Sequence, residues 1–115
     1  MVKSGKLLAD LPDACRTEQT ELLFHCNGVR FERIVSCGQM TPAGQWYDQS
    51  WDEWVTVVQG EAHLLLEEEL EPRRLVEGDW ILLPAHCRHR VQWTPPDRAT
   101  VWLALHIPVI AGEEV

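Results

Sequence analysis

A chain of 115 residues with ten Lys and Arg against eighteen Asp and Glu, a formal net charge of −8, has room for one domain with a hydrophobic core and none for a second cofactor domain. The charge repels phosphate backbones and anionic bilayers, so neither nucleic acid nor a membrane surface is expected as a partner. No apolar run approaches the roughly 20 residues of a membrane-spanning helix, and the opening MVKSGKLLADLPDAC has no apolar signal-peptide stretch, which makes a cytoplasmic protein the expectation.

Residues 1–19 carry Gly, Pro and Asp without sustained periodicity, apart from a short apolar turn from Leu7 to Leu11; an N-terminal arm or short helix is predicted there. From Thr20 onward the pattern becomes short runs of β-branched and aromatic residues broken by turn residues. The runs are Glu21 to Cys26, Val29 to Ser36, Glu53 to Gln59, Glu61 to Glu68, Arg73 to Val76, Asp79 to Pro84, His89 to Thr94 and Thr100 to Ile107. No stretch of about ten residues keeps a helical apolar stripe, so the fold class is all-β, with residues 20–115 as a single barrel domain. Strands of this number leave an immunoglobulin-like sandwich or a jelly-roll barrel. Cys26, Trp54 and Cys87 superficially suit the sandwich, but a reducing compartment argues against it.

The four cysteines form no C-x2-C pair and read as reduced, mostly buried small hydrophobes. The run Glu67-Glu68-Glu69, followed by Glu71 and Pro72, reads as a solvated hairpin tip. Six tryptophans are many for this length; core filling and an aromatic-lined pocket both account for them. Several strands, among them WVTVV and VWLALHI, are apolar on both faces. One face fills the barrel and the other calls for a cover, so a homodimer packing sheet on sheet is predicted.

Two segments, DQSWDEWVTVVQG and GDWILLPAHCRH, resemble the two motifs of the cupin superfamily of small double-stranded β-helix barrels. Glu53 and Gly60 match the E-x6-G half of the first motif, and Gly78, Pro84 and His89 fall at the intervals of the second. GQWYDQSWDEWV with PAHCRHRVQWT is similar to a subgroup of single-domain bacterial cupins, most of unassigned activity. The pattern also departs from the family. Counting four residues back from Glu53 places the two histidines of the first motif at Trp46 and Asp48, whereas a three-residue gap places them at Tyr47 and Gln49. The glycine of the second motif is His86 and its asparagine is Trp93.

The resemblance implies a metal site drawn from His89, Glu53, His86 and Asp48, a mixed nitrogen and oxygen set suited to Zn, Fe, Mn or Ni. The plain alternative is that Glu53 and His89 form a hydrogen-bonded pair in a metal-free pocket. Tyr47, Gln49, Trp46, Trp93 and His106 are candidate contacts to a small-molecule ligand, while Arg88 and Arg90 alternate out of phase with His89 and belong outside. The implied function is a small metal-binding cupin enzyme of oxygenase, isomerase or lyase type acting on a small organic molecule. The alternatives are a metal-free ligand-binding or sensor module and a structural dimer with a degenerate site.

Overall fold

The computed structural model describes residues 1–109. The strands are β1 (Gln19–Cys26), β2 (Val29–Ser36), β3 (Asp52–Gln59), β4 (Glu61–Leu66), β5 (Arg73–Val76), β6 (Trp80–Leu83), β7 (His89–Trp93) and β8 (Thr100–Ile107). All pair antiparallel, in a five-stranded sheet ordered β1-β2-β8-β3-β6 and a three-stranded sheet ordered β5-β4-β7. Among the described residues there is no helix, and so none long and apolar enough to cross a membrane. The barrel domain expected over residues 20–115 has its last six positions outside the described residues.

Alternation sets the layers. In β3 the side chains of Glu53, Val55 and Val57 are buried while Trp54 and Thr56 are half-buried, the period-two signature of a strand with one face on a core. Val55, Val57, Ala62, Leu64, Leu75, Trp102 and Ala104 form that core between the sheets, with Ile34, Ile81 and Val91 against it. Gly60, at φ +93°, carries the chain from one sheet to the other; a Cβ there would lie 2.8 Å from the Ala99 carbonyl oxygen, so no other residue fits.

The arm before β1 is irregular, and it is tied down by side chains of the barrel. Buried Arg33 donates from Nη1 to the Leu7 and Ala9 carbonyls, at 3.1 Å each, and Gln39 donates to the Ala14 carbonyl. The outer face of the large sheet is apolar across all five strands: Leu82, Trp54, Leu105, Phe31 and Phe24 lie in one row of directly paired positions. The thiols depart from expectation. Cys15 and Cys26 are exposed and Cys37 and Cys87 half-buried, all free, because they occupy the arm, strand ends and loops rather than the alternating interior positions.

Candidate active site in the barrel cavity

Residues directly opposite on antiparallel strands project from the same face. Glu53 of β3 faces His106 of β8, and both point inward with Val55 and Trp102. From the other sheet, β7 brings in His89 and Val91. Together they enclose a cavity of about 220 Å³ whose floor is Val55, Leu64, Leu83, Val91 and Trp102 and whose rim includes Glu18, Thr20 and Glu32.

Glu53 is only 9% exposed, and each of its oxygens meets an imidazole. Oε2 lies 2.9 Å from His106 Nε2, and Oε1 lies 3.6 Å from His89 Nε2. His89 Nδ1 donates to the Cys87 carbonyl at 2.8 Å, which fixes the ring with Nε2 turned toward the carboxylate. Burial pulls the His89 pKa down, but hydrogen bonding to Glu53 and to the Cys87 carbonyl outweighs it and holds the imidazole above its ordinary value. On its far side, His106 Nδ1 is 3.9 Å from Glu32 Oε2.

The segment before β3 closes one side. Tyr47 bridges to His89 through two backbone hydrogen bonds, Tyr47 N–H to the His89 carbonyl at 2.7 Å and His89 N–H to the Tyr47 carbonyl at 3.2 Å. The two rings lie 5.6 Å apart. Burial and the charges of Glu18 and Glu53 raise the Tyr47 pKa against an opposing hydrogen bond with Thr41, so the phenol faces the cavity as an O–H donor.

The architecture has close counterparts among solved structures. A protein of Ralstonia eutropha JMP134 assigned provisionally as a mannose-6-phosphate isomerase is 46% identical over 94% of this chain and 100% of that one, with a TM-score of 0.90. A cupin superfamily protein of Desulfitobacterium hafniense DCB-2 shares 16% identity over 95% and 94% of the two chains, TM-score 0.74. An RmlC-like cupin with a double-stranded β-helix fold from Methanocaldococcus jannaschii shares 21% over 94% and 93%, TM-score 0.70. This chain belongs to the cupin superfamily. No family model and no curated protein matches it.

In this cupin the four residues expected to share a metal divide into two pairs. Glu53 and His89 are inside. Asp48 and His86 bind each other outside, Oδ1 to Nδ1 at 2.7 Å, with side chains 48% and 69% exposed. The chain between Tyr47 and β3 is irregular, and it turns Tyr47 and Gln49 into the cavity and Asp48, between them, out to His86. The three-residue gap is therefore the right alignment. His86 replaces the motif glycine and adopts its left-handed conformation, φ 64°, which turns the ring to the rim.

Among the other expected ligand contacts, His106 lines the cavity. Trp46 instead lies beneath the guanidinium groups of Arg88 and Arg90, 6.0 Å and 5.9 Å from its ring centre. Trp93 is turned away by a bulge. The β4–β7 register pairs Leu64 with Val91 and His63 with Trp93, so Gln92 is the extra residue and the side chains beyond it swap faces. Glu18 and Glu32 were not singled out from sequence. Glu32 had a signal, since it shares the inward parity of Ile34 in β2; Glu18, just before β1, had none.

A divalent ion needs three or more donors aimed at one centre. Among the described residues no group of three or more His, Cys, Asp or Glu side chains is so arranged. Glu53 stands between two imidazoles, giving one oxygen to each, and the inward positions of the first-motif histidines hold a phenol and an amide. This donor set does not fit a resident divalent metal.

Proposed function

We propose that this cupin is an enzyme that moves a proton on a small organic molecule held in the barrel cavity, by isomerase- or lyase-type chemistry. The observation that carries the reading is Glu53, a buried carboxylate with an imidazole against each oxygen. Such a group accepts a proton from a C–H beside a carbonyl. The electron pair released moves onto the carbonyl oxygen, toward which the Tyr47 phenol can donate. Returning the proton to the former carbonyl carbon, while the proton of the adjacent hydroxyl passes to the first oxygen, completes an isomerisation, whereas departure of a β-substituent with its bonding electrons completes an elimination. The isomerase name borne by the Ralstonia eutropha relative is in keeping with this reading. Oxygenase chemistry would call for metal donors that the cavity does not bring to one centre.

A non-catalytic binding or sensor module would use the same cavity with Glu53 as a structural partner only. Solvent-deuterium incorporation into a panel of aldoses and ketoses discriminates the two. Wild-type protein should catalyse exchange and Glu53→Gln should not, with thermal melting nearly unchanged; equal exchange by both would remove Glu53 from the chemistry. Elemental analysis should find well under one metal per chain after refolding with Fe, Mn, Ni and Zn, and a stoichiometric metal would overturn the metal-independent reading. We also propose a cytoplasmic homodimer joined through the apolar outer sheet face, where Trp80 is 61% and Leu82 50% exposed, since patches of this kind are rarely left bare on monomers.

A further inference from the structure

We infer that the cavity takes a small, uncharged, hydroxyl-rich molecule, a single unphosphorylated sugar or polyol, and turns away phosphate esters of the same molecule. The inference rests on the proton-transfer reading above and names the substrate class of that site.

The polar groups of the lining are three carboxylates (Glu18, Glu32 and Glu53), the two imidazoles, and Thr20, Tyr47 and Gln49; neither Lys nor Arg lines the cavity. A phosphate monoester carries about 1.5 to 2 negative charges at neutral pH, and proteins hold it with Arg, Lys or the N–H groups of a helix start. No helix exists among the described residues. Neither guanidinium group of β2 lines the cavity. Arg30 contacts Glu32 Oε2 at 3.1 Å and is half exposed, and Arg33 is bound to the arm and to Glu21 on the opposite face of the sheet. A phosphate would therefore meet three carboxylates with no Lys or Arg in the lining to offset them, an arrangement that disfavours binding.

Hydroxyl groups meet the reverse situation. Glu18 accepts the Ser36 hydroxyl on Oε2 at 2.8 Å, and Glu32 accepts Arg30 on Oε2 at 3.2 Å. Among the described residues the second oxygen of each takes no protein hydrogen bond, so both are acceptors for a ligand hydroxyl. Gln49 can both donate and accept, and the Tyr47 O–H suits a carbonyl oxygen. Trp102 and the Tyr47 ring supply flat surfaces for the C–H face of a sugar ring. The cavity, about 220 Å³, lies below the roughly 300 to 1,000 Å³ of sites for drug-sized ligands, which suits one ring and not an oligosaccharide.

Isothermal titration calorimetry with mannose, glucose and fructose and their 6-phosphates tests the inference on the whole protein. At least one free sugar should bind saturably, and its 6-phosphate at least about tenfold more weakly. Thr20→Arg, an exposed rim position of the edge strand β1, should narrow or reverse that preference by supplying the missing cation. Equal or tighter binding of the 6-phosphate to wild-type protein would overturn the inference, as would the absence of saturable binding by every uncharged sugar at tens of millimolar. Glu53→Gln separates it from the reading beneath it. If that variant binds the free sugar and still exchanges deuterium, the proton-transfer role falls while the ligand class stands.

Discussion

Glu53 with His106, and Asp48 with His86, are the same pairing in chemical terms, a carboxylate 2.9 Å or 2.7 Å from an imidazole nitrogen. The side chains of the first pair are 11% and 17% exposed, those of the second 48% and 69%. Solvent exposure lets the outer pair separate and be screened at little cost, and such contacts are worth about 0 to 1 kcal/mol. Burial of the inner pair makes a lost partner harder to replace, so that pair is costlier to break and holds its groups in one geometry. Short distance alone does not mark a site. Enclosure, and the second imidazole of His89, separate the two pairs.

The comparison can be broken most severely at Glu53. Glu53→Gln should lower turnover at least about a hundredfold, since general base catalysis is typically worth that much or more, as read by deuterium exchange or by any activity found. Glu53→Ala leaves His89 and His106 without their common acceptor and should cost about 3 kcal/mol of stability in urea unfolding. A loss below about 1 kcal/mol would place the inner pair in the same class as the outer one.

Titration sharpens the contrast. The folded-state pKa of His89 lies above its ordinary value of 6.5, so its contribution to stability is fully present below the unfolded value and is lost as pH rises through the folded one. Unfolding free energy should therefore decline as pH rises above about 6.5, and Glu53→Gln should flatten that slope. A smaller effect is expected at the cavity wall, where Tyr47→Phe removes one hydrogen bond to the ligand and should cost about tenfold in turnover without shifting the melting temperature. Smallest of all is the outer pair. Asp48→Asn should change stability by less than about 1 kcal/mol. His86→Gly should be close to neutral in thermal melting, because relief of the left-handed backbone at φ 64° offsets the lost contact.

All eight strands were legible because turn chemistry punctuates them. Asn27-Gly28 sits at positive φ between β1 and β2, and Gly60 and Gly78 do the same for their turns. Glu53 and His89 were legible through motif spacing. Asp48 was misplaced because a gap of three or four residues before Glu53 satisfies the family pattern equally well, and the shift of one residue exchanges inside for outside. Strand parity stops at Asp52, so the irregular residues 48–51 before it could not be phased by counting. Trp93 could not have been placed by counting, since a bulge at Gln92 leaves no trace in composition. Glu18 enters the cavity only through the docking of the arm, held by the Ser36 hydroxyl, and a contact across 18 residues of sequence has no local signature.

The first strand pairs with β2 alone. Thr20 lies on that strand and Glu18 just ahead of it, so one wall of the cavity is carried by the margin of the sheet and not by its centre. Of the groups proposed to handle the proton, Glu53 and His106 sit on β3 and β8, each paired on both sides, and His89 sits on β7, which pairs with β4 and is bridged to Tyr47. On the proposed reading, ligand choice and chemistry lie on parts of the chain that can vary independently: residues at the margin can change without unpacking the interior, so a barrel of this design can acquire a new ligand while its buried carboxylate and imidazoles stay in place.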